Sequence, residues 1–313
     1  MLIYAARRVA ATIIVLAIVA VVVFALVRMA PGDPAAIIAG PAATTRDVAA
    51  IRAELGLDRP LVVQFATWLA HVARGDLGQS FFFHQPVTAL VAARVGPTLA
   101  LALATMVLSV LVAVPLGAIA AWKHGGVVDR IVMGVAVAGF SVPVFVTGYA
   151  LVWWLAVDLA WLPVQGYQPL AEGVAGFVSH LVLPTLALSV VHVALIARIT
   201  RASTLDALSE DFIRTARAKG LRGPAILVRH ALRNAAVPVV TVIGLGFALL
   251  VGGVVVTESV FAIPGLGRLT VDAVLARDYP TVQGVILLFA LVYVLLNLAI
   301  DVAYLWLDPR IRY

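Results

Sequence analysis

Six long apolar runs dominate this sequence, and each is close to the ~20 residues that a helix needs to cross a lipid bilayer. Hydrophobic residues make up 63% of the chain and charged residues only 12%, whereas about a quarter of a soluble domain is charged. Because backbone polar groups in lipid must bond within their own segment, such runs form helices. The sequence therefore predicts an all-α integral membrane protein with six transmembrane helices. The runs are Val9–Val27, Leu99–Trp122, Ile131–Val157, Leu181–Ala197, Ala235–Thr257 and Val282–Leu305.

Three prolines and the start of the first run refine this prediction. Pro115, Pro143 and Pro184 lie inside runs, where each removes a backbone donor and predicts a kink. Arg7 and Arg8 precede the first run, as basic residues precede a signal peptide. However, the run is long for that role, and no small-residue cleavage site follows it. We expect the first run to be a retained membrane anchor.

Two scarce residue types exclude whole classes of site. The chain has no cysteine, which excludes disulfides, thiolate metal sites and iron–sulfur ligation by this chain. It has only two lysines, Lys123 and Lys219, preceded by Trp122 and Ala218. A Walker A loop needs Gly directly before its Lys, because backbone amides and the Lys together cradle the phosphates. Any ATPase that drives this protein must therefore be another chain.

Basic residues are unevenly distributed between the segments that join the runs. With the N-terminus inside, the cytoplasmic segments hold 14 of the 22 Lys and Arg residues, as the positive-inside rule requires. Both termini are then cytoplasmic, and the net charge of +6 needs no nucleic-acid partner. The predicted parts are residues 1–27 (N-terminal tail and first helix), 28–97 (external helical segment) and 98–313 (a five-helix core), with a cytoplasmic segment at 201–234 inside the core.

The external segment is predicted to contain two short amphipathic helices. The first begins at a capping box, Thr44–Asp47, and ends at Gly56. The second begins at Pro60 and ends at Gly75. This segment is either a structural cap on the bundle or a docking or gating surface for an external partner. The apolar residues on one face of the second helix are Leu61, Phe65, Trp68, Leu69 and Val72.

Leu205–Gly223, with the sequence LDALSEDFIRTARAKGLRG, is a charged helical insert between the fourth and fifth runs. Its acidic residues come early and its basic residues late, as a helix dipole favours. Gly220 is the expected C-cap, Gly223-Pro224 turns the chain, and a second helix leads into the fifth run. The insert either transmits a movement of a cytoplasmic motor protein to the membrane helices, or it is a basic loop that lies on anionic lipid.

Small residues in the fifth run recur at four-residue spacing, at Gly244, Ala248 and Gly252. This spacing puts them on one helix face and permits close backbone approach. We expect the face to meet a helix of a partner membrane chain or to border a pathway between the helices, and packing within the chain is the open alternative.

Polar residues within or near the runs are costly in a bilayer and therefore candidates for function. Each is weighed against a structural role, and His192 is also a candidate for cargo contact. These residues are Asp158, His192, Glu258, Asn297 and Asp301.

Polar residues in and near the runs allow two functions, a proton-coupled secondary carrier and an intramembrane serine protease. A proton-coupled secondary carrier would use His192, Glu258 or Asp301 as its relay, but the halves of the chain show no clear internal repeat. An intramembrane serine protease would use Ser141 as nucleophile with His192 or His180 as base. Neither function needs the charged insert.

The insert resembles the cytoplasmic signature of bacterial ABC importer permeases, Glu-Ala-Ala-x3-Gly-x9-Ile-x-Leu-Pro. Aligned on Gly220, the chain matches its second Ala at Ala216 and its Leu at Leu232. The stretches RTARAKGL and RHALRNA look like the variant of this signature in the peptide-permease branch. The positions that depart from the general form are Arg214, Thr215, His230 and Arg233.

Motifs along essentially the whole chain are similar to the same branch, and most of all to the B-type permease subunit of dipeptide and oligopeptide importers. Relatives in that family also carry nickel chelates, glutathione or haem, so the resemblance leaves the cargo open. The motifs are PGDP (31–34), LGLDRPL (55–61), GDLGQS (75–80), RVGPTLAL (94–101), GFSVPVF (139–145), ESVFAIPGLGRL (258–269), RDYP (277–280) and NLAIDVAYLWLDPRIR (297–312).

The resemblance implies a complex in a bacterial inner (plasma) membrane. Two homologous permeases would form the pathway, and a binding protein would deliver the substrate from outside. Two ATPases, or one fused ATPase, would lie beneath them and bind ATP and Mg²⁺. This chain, embedded in lipid, would then be non-catalytic, with no cofactor or metal of its own.

The resemblance also implies a coupling helix around Ser209–Gly220, seated in a groove of one ATPase. Closure of the ATPase pair on ATP would draw the coupling helices together and turn the pathway outward. The implied coupling residues are Asp211, Arg214, Thr215, Ala216, Lys219 and Gly220.

Overall fold

The predicted apolar runs fold as helices. The computed structural model describes residues 2–29, 33–40, 43–54 and 56–307, and no β-strand occurs within these ranges. The helices are α1 (Leu2–Met29), α2 (Pro34–Ala39), α3 (Thr45–Glu54), α4 (Leu61–Ala73), α5 (Val87–Trp122), α6 (Val127–Ser141), α7 (Val144–Leu151), α8 (Val174–Ser209), α9 (Asp211–Ala218), α10 (Gly223–Ala225), α11 (Leu232–Val260), α12 (Leu266–Leu275) and α13 (Tyr279–Leu307).

Within the described ranges, five helical segments are long and apolar enough to cross a bilayer, in α1, α5, α8, α11 and α13. Helices α5 and α8 have 36 residues each, or about 54 Å of length, which exceeds the ~30 Å hydrocarbon core. Helix α5 therefore begins well before the predicted Leu99, and α8 continues past the predicted Ala197 to Ser209. The front of the charged insert is thus an extension of a membrane helix.

The third run forms two helices rather than one. Helices α6 and α7 meet at an angle of 101°, and the pair gives a sixth crossing if it counts as one span. The break lies at Val142, whose backbone is extended (φ −89°, ψ 125°). Pro143 disfavours a helical conformation in the residue before it. The kink expected at Pro143 is therefore present, and it is sharp enough to separate the two helices.

The chain divides into two compact units. The first unit is Met1–Val95 with Leu269–Val294, and the second unit is Gly96–Arg268 with Leu295–Tyr313. In the second unit, α8 packs against α6, α7 and α11. The side chains that fill its core are mostly aliphatic, as expected for close helix packing. The largest fully buried ones include Leu101, Leu183, Leu188, Ile196, Leu250 and Ile263.

The first unit contains the predicted amphipathic helices as α3 and α4. The capping box is formed, because the backbone amide of Thr44 donates to Asp47 (2.9 Å) and the amide of Asp47 donates back to the Thr44 hydroxyl (3.3 Å). The Thr44 hydroxyl also donates to the Asp47 carboxylate and, as the main cause, lowers its pKa. Two further helices, α2 and α12, were not predicted.

Candidate functional site

The charged insert forms a short helix, α9, that is set off from α8 by one extended residue. Glu210 has φ −72° and ψ 152°, so the helix of α8 ends at Ser209 and α9 starts in a new direction. The predicted single charged helix is therefore divided, with Asp206 on α8 and Asp211 in the first turn of α9. Asp211 suits the partial positive charge of that helix start.

One side of α9 is buried against its neighbours. Ile213 is fully buried and Ala216 is 5% exposed. They pack with Ala207 of α8 and with Ile226 and Ala231 of the π-helical segment that leads into α11. Burying such apolar side chains is worth about 1.5–3 kcal/mol for the larger ones. This small core fixes α9 to both membrane helices that flank the insert.

The end of α9 is a Schellman motif, as the sequence predicts. The amide of Gly220 donates to the carbonyl of Arg217 (2.9 Å), and the amide of Leu221 donates to that of Ala216 (3.2 Å). Gly220 has φ +77°, a conformation that glycine adopts without steric cost. No other atom lies within 4 Å of the position that a Cβ would take there, so backbone conformation alone selects glycine.

The opposite side of α9 faces outward. Of the predicted coupling residues, only Ala216 is buried. Arg214 and Asp211 form an ion pair of 3.1 Å in which both side chains are largely exposed, and such pairs add little stability. The exposed residues of α9 are thus mostly polar, with Phe212 as the one large apolar side chain among them. The exposed residues of the predicted coupling set are Asp211, Arg214, Thr215, Lys219 and Gly220.

A buried ion pair that the sequence analysis missed ties α8 to the start of α6. The guanidinium of Arg201 donates two hydrogen bonds to Asp129, at 2.5 and 2.7 Å. Asp129 is 4% exposed, and it also accepts from the amide of Gly125 (2.9 Å). Bidentate Arg–carboxylate pairs of this kind fix geometry as well as charge. Because the two residues are 72 positions apart in the sequence, their pairing could not be inferred from local sequence patterns.

Glu258 is enclosed by the turn between α11 and α12. Its Oε1 accepts from the Thr98 hydroxyl (2.6 Å), and its Oε2 accepts from the amide of Arg268 (3.0 Å). At Gly265 an added Cβ would lie 2.1 Å from Oε1. The carboxylate thus fills a cage that depends on glycine, which favours the structural role over a proton relay. Charge-assisted bonds to backbone amides are strong in such surroundings.

His192 is held between two membrane helices. Its Nδ1 lies 2.9 Å from the carbonyl of Leu188 on α8, and its Nε2 lies 3.2 Å from the carbonyl of Gly246 on α11. Only 3% of the residue is exposed. The ring therefore bridges α8 and α11 and has no open face for cargo in this conformation.

Ser141 has none of the surroundings of a nucleophile. Its hydroxyl donates to the carbonyl of Val137, one turn earlier (2.9 Å). His180 places Nδ1 against the carbonyl of Gly176 (2.7 Å). The hydrogen-bonded pair that a serine protease needs is therefore not formed by these groups. Of the remaining polar residues, Asp158 is exposed at the end of a π-helical segment and Asp301 is buried.

The two glycines of the predicted stripe of small residues on α11 have different surroundings. An added Cβ at Gly244 would lie 2.1 Å from the side chain of Ile300 on α13, whereas one at Gly252 would meet nothing within 4 Å. The side chain of Ala248 lies outside the described residues. A close approach within the chain is also made at Gly253, outside the stripe, where a Cβ would lie 2.7 Å from Leu188. Gly244 thus packs inside the chain, and Gly252 remains open.

In the first unit, Asp278 anchors the loop that precedes α5. Asp278 is fully buried and accepts from the Ser80 hydroxyl (2.5 Å) and from the amide of Phe81 (3.0 Å). It also accepts from the hydroxyl of Thr281 (2.7 Å) in the first turn of α13. Ser80 lies in the motif GDLGQS and Asp278 in the motif RDYP. These two motifs are the sequence signal from which the contact between the two residues could have been inferred.

Among the described residues, no group of three or more His, Asp or Glu side chains is arranged to hold a metal ion.

Two family profiles match the chain. Residues 113–313 match the family described as "Binding-protein-dependent transport system inner membrane component", and residues 1–102 match the N-terminal region of such components. Together they cover nearly the whole sequence, including α9 and the helices that flank it.

Full-length relatives give the same result. The chain is 54% identical over 311 residues to a probable peptide ABC transporter permease of Sinorhizobium fredii, covering 99% of each chain. It is 45% identical over 313 residues to the glutathione transport system permease GsiC of Salmonella choleraesuis, covering both chains fully. A putative peptide transport system permease of Brucella abortus is 43% identical over 307 residues, covering 98% of each chain.

A solved structure shares the fold. A chain of the MetNI methionine ABC transporter, in an inward-facing conformation, superposes with a TM-score of 0.59 at 18% identity, covering 70% of this chain and 96% of that one. The predictions of a multi-pass inner-membrane protein and of a permease are confirmed. The chain belongs to the family of inner membrane components of binding-protein-dependent transport systems.

Proposed function

We propose that this chain is the permease subunit of an ATP-driven importer and forms half of the translocation pathway with a second, homologous permease. Relatives named as permeases for peptides and for glutathione, itself a small peptide, support a di- or oligopeptide or a related small solute as cargo. A binding protein on the outer side delivers that cargo.

The observation that carries this proposal is the construction of α9. Its buried side, Ile213 and Ala216, is fixed to the helices on both sides, while its polar side is exposed. A short helix held in this way cannot shift without moving α8 and α11, because packed elements transmit displacement. It therefore suits a groove on an ATPase, and movement of that ATPase reaches the membrane helices.

The bidentate pair of Arg201 and Asp129 supports the same role. It joins α8, just before α9, to the start of α6. A displacement of α9 is thereby transmitted to α6 as well as to α8 and α11. The coupling surface is the exposed set of Asp211, Arg214, Thr215, Lys219 and Gly220, with Ala216 as its internal support.

ATP and Mg²⁺ belong to the partner ATPases in this proposal. The chain has no Walker A sequence, since neither of its lysines follows a glycine. Two ATPase subunits, or one fused ATPase, supply hydrolysis. The permease contributes two conformations of its helices, and nucleotide biases the equilibrium between them.

The proposed orientation places both termini and α9 in the cytoplasm, and residues 28–97 outside. It rests on the eight Lys and Arg residues between 198 and 233. Because the chain has no cysteine, introduced cysteines report on single positions. Thr215→Cys and Asp58→Cys place the probe on exposed residues of α9 and of the external segment.

In the assembled complex, a photo-crosslinker on Thr215→Cys is expected to capture an ATPase subunit, and the same reagent on Asp58→Cys is not. A membrane-impermeant maleimide should label Thr215→Cys only in inverted vesicles and Asp58→Cys only in right-side-out vesicles. The reverse labelling pattern would disprove the orientation. Uptake that continues after ATP depletion and stops with a proton uncoupler would replace the importer with a secondary carrier.

A further inference from the structure

Helix α4 lies outside the predicted five-helix core (98–313), and it exposes large apolar side chains. Leu61 and Val62 are 60% and 79% exposed, and none of the residues of α4 is buried. The helix, LVVQFATWLAHVA, carries no Lys, Arg, Asp or Glu. Such a surface is unfavourable in water and typical of a helix that lies in the membrane interface.

The contacts of α4 place it at the edge of the membrane. Phe65 and Trp68 pack on Phe24 of α1, with ring centroids 5.3 and 5.6 Å apart. Phe24 lies within the apolar span Ala11–Met29, about 8 Å from its end. The residues of α4 therefore lie at the depth where α1 leaves the hydrocarbon.

An apolar groove of about 340 Å³ runs between α1 and α4. Its lining includes Val21 and Ala25 on α1 and Leu61 and Val62 on α4. Among the described residues of the lining, the one charged residue is Arg28. Arg28 lies over the ring of Phe24 at 4.9 Å, and within the described chain it forms no ion pair with a carboxylate.

Arg28 also lines a second cavity of the first unit, a polar cleft of about 490 Å³. Two atoms of this cleft are buried without a hydrogen-bond partner in the described chain, Tyr279 Oη and Gln64 Oε1. Tyr279 is 8% exposed. Leaving such groups unsatisfied costs about 1–3 kcal/mol each, so a polar ligand in the cleft would be stabilised by them. Arg59 and Asp76 line it as well.

We propose that the groove and the cleft, which share Arg28 in their linings, together bind one phospholipid with a zwitterionic, ethanolamine-type headgroup. An acyl chain lies in the groove, and the phosphate is bound by Arg28 and Arg59, as guanidinium groups favour. The Tyr279 hydroxyl donates to the phosphate. The ammonium donates to Gln64 Oε1 and lies near the carboxylate of Asp76. The lipid joins α1 to α4 and to the start of α13.

The test is a titration of the purified, delipidated transporter complex with phosphatidylethanolamine, followed by native mass spectrometry. We expect Arg28→Gln to weaken binding of one lipid about tenfold or more. The matched control is Arg74→Gln, an exposed arginine that lines neither cavity, and it should leave binding unchanged. Equal lipid occupancy in the wild type and Arg28→Gln would overturn the proposal.

Two further variants separate the parts of the site. Ala25→Trp fills the groove and should lower lipid occupancy while the headgroup residues stay intact. Tyr279→Phe removes only a hydroxyl that has no hydrogen-bond partner among the described residues, and it should weaken lipid binding several-fold without lowering the yield of folded protein. Unchanged binding by both variants would contradict a lipid in this site.

The source of the phosphate is tested with glycerophosphoethanolamine, the headgroup without chains. We expect it to bind at least 100-fold more weakly than the intact lipid, because it cannot fill the groove. Equal binding would assign the cleft to a small water-soluble solute. Loss of binding-protein association in Arg28→Gln, with lipid occupancy unchanged, would assign the surface to a protein partner; either result rejects the proposal.

Discussion

The hydroxyl of Thr98 donates a hydrogen bond of 2.6 Å to Oε1 of Glu258, although the two residues are 160 positions apart. The same hydroxyl accepts from the backbone amide of Leu266 (2.8 Å). Thr98 on α5 therefore contacts both the end of α11 and the turn that leads to α12. These bonds set the geometry at one end of the second unit.

Replacing Glu258 by alanine should destabilise the protein strongly. The change removes two hydrogen bonds, one from the Thr98 hydroxyl and one from the Arg268 amide, together with a fully buried side chain. We expect a loss of about 3 kcal/mol or more, since hydrogen bonds to a charged group contribute about 1.5–3 kcal/mol each. Thermal unfolding in detergent measures it. Ser259→Ala, at the adjacent exposed position, is the control and should unfold like the wild type.

The ion pair of Asp129 and Arg201 should show a strong energetic coupling. Asp129→Asn and Arg201→Gln each leave a partner of the bidentate contact unpaired, so each should cost about 3 kcal/mol. The double variant should lose less than the sum of the two. Arg201→Lys should not restore full stability, because an ammonium group cannot make the two parallel bonds. Additive losses in the thermal unfolding of the three variants would argue against a direct interaction.

Asp278→Ala should release the loop before α5. Without its carboxylate, the Ser80 hydroxyl and the Phe81 amide lose their acceptor, and residues 76–83 should open more often. We expect trypsin to cut at the exposed Arg74 roughly ten times faster, corresponding to a local stability loss of about 1.4 kcal/mol. Asp58→Ala, which removes an exposed carboxylate from the same unit, is the control. Cleavage at equal rates in the two variants would contradict the anchoring role.

Local features of this fold can be predicted from sequence, and long-range pairings cannot. The cap at Gly220 depends on neighbouring residues only, so the order of acidic, basic and glycine residues was enough to find it. The apolar runs were found for the same reason. Asp278 and Ser80 are 198 positions apart, and their pairing follows from how the helices pack. The groove between α1 and α4 could not be predicted either, because the apolar face of α4 does not show which other helix packs against it.

Gly220→Val should abolish transport while the protein still inserts into the membrane. The site offers free space for a side chain, so the cost comes from the backbone at φ +77°. A β-branched residue in that conformation destabilises the folded backbone by about 1–2 kcal/mol. The Schellman motif should therefore be lost, and α9 should be held less firmly against the ATPase. Gly220→Asn is the matched control, because Asn tolerates positive φ. ATP-dependent uptake in vesicles should fall for Val and persist for Asn, and normal uptake by the Val variant would refute the coupling role.

Gly244→Leu and Gly252→Leu should have different effects, although the two residues lie on one face of α11. At Gly244 even a Cβ would lie 2.1 Å from the side chain of Ile300. The larger Leu therefore has to displace α13, and overpacking of this kind costs about 1–3 kcal/mol. We expect a lower unfolding temperature and a lower yield of the isolated chain.

At Gly252, by contrast, the chain leaves open space, so Gly252→Leu should fold normally and even gain helix propensity of up to about 1 kcal/mol. If this part of α11 meets the second permease or borders the pathway, the variant should be well folded but poor in complex assembly or uptake. Co-purification of the partner permease separates these two effects from simple misfolding. A Gly252→Leu protein that assembles and transports like the wild type would refute a contact of this part of α11 with the second permease or with the pathway.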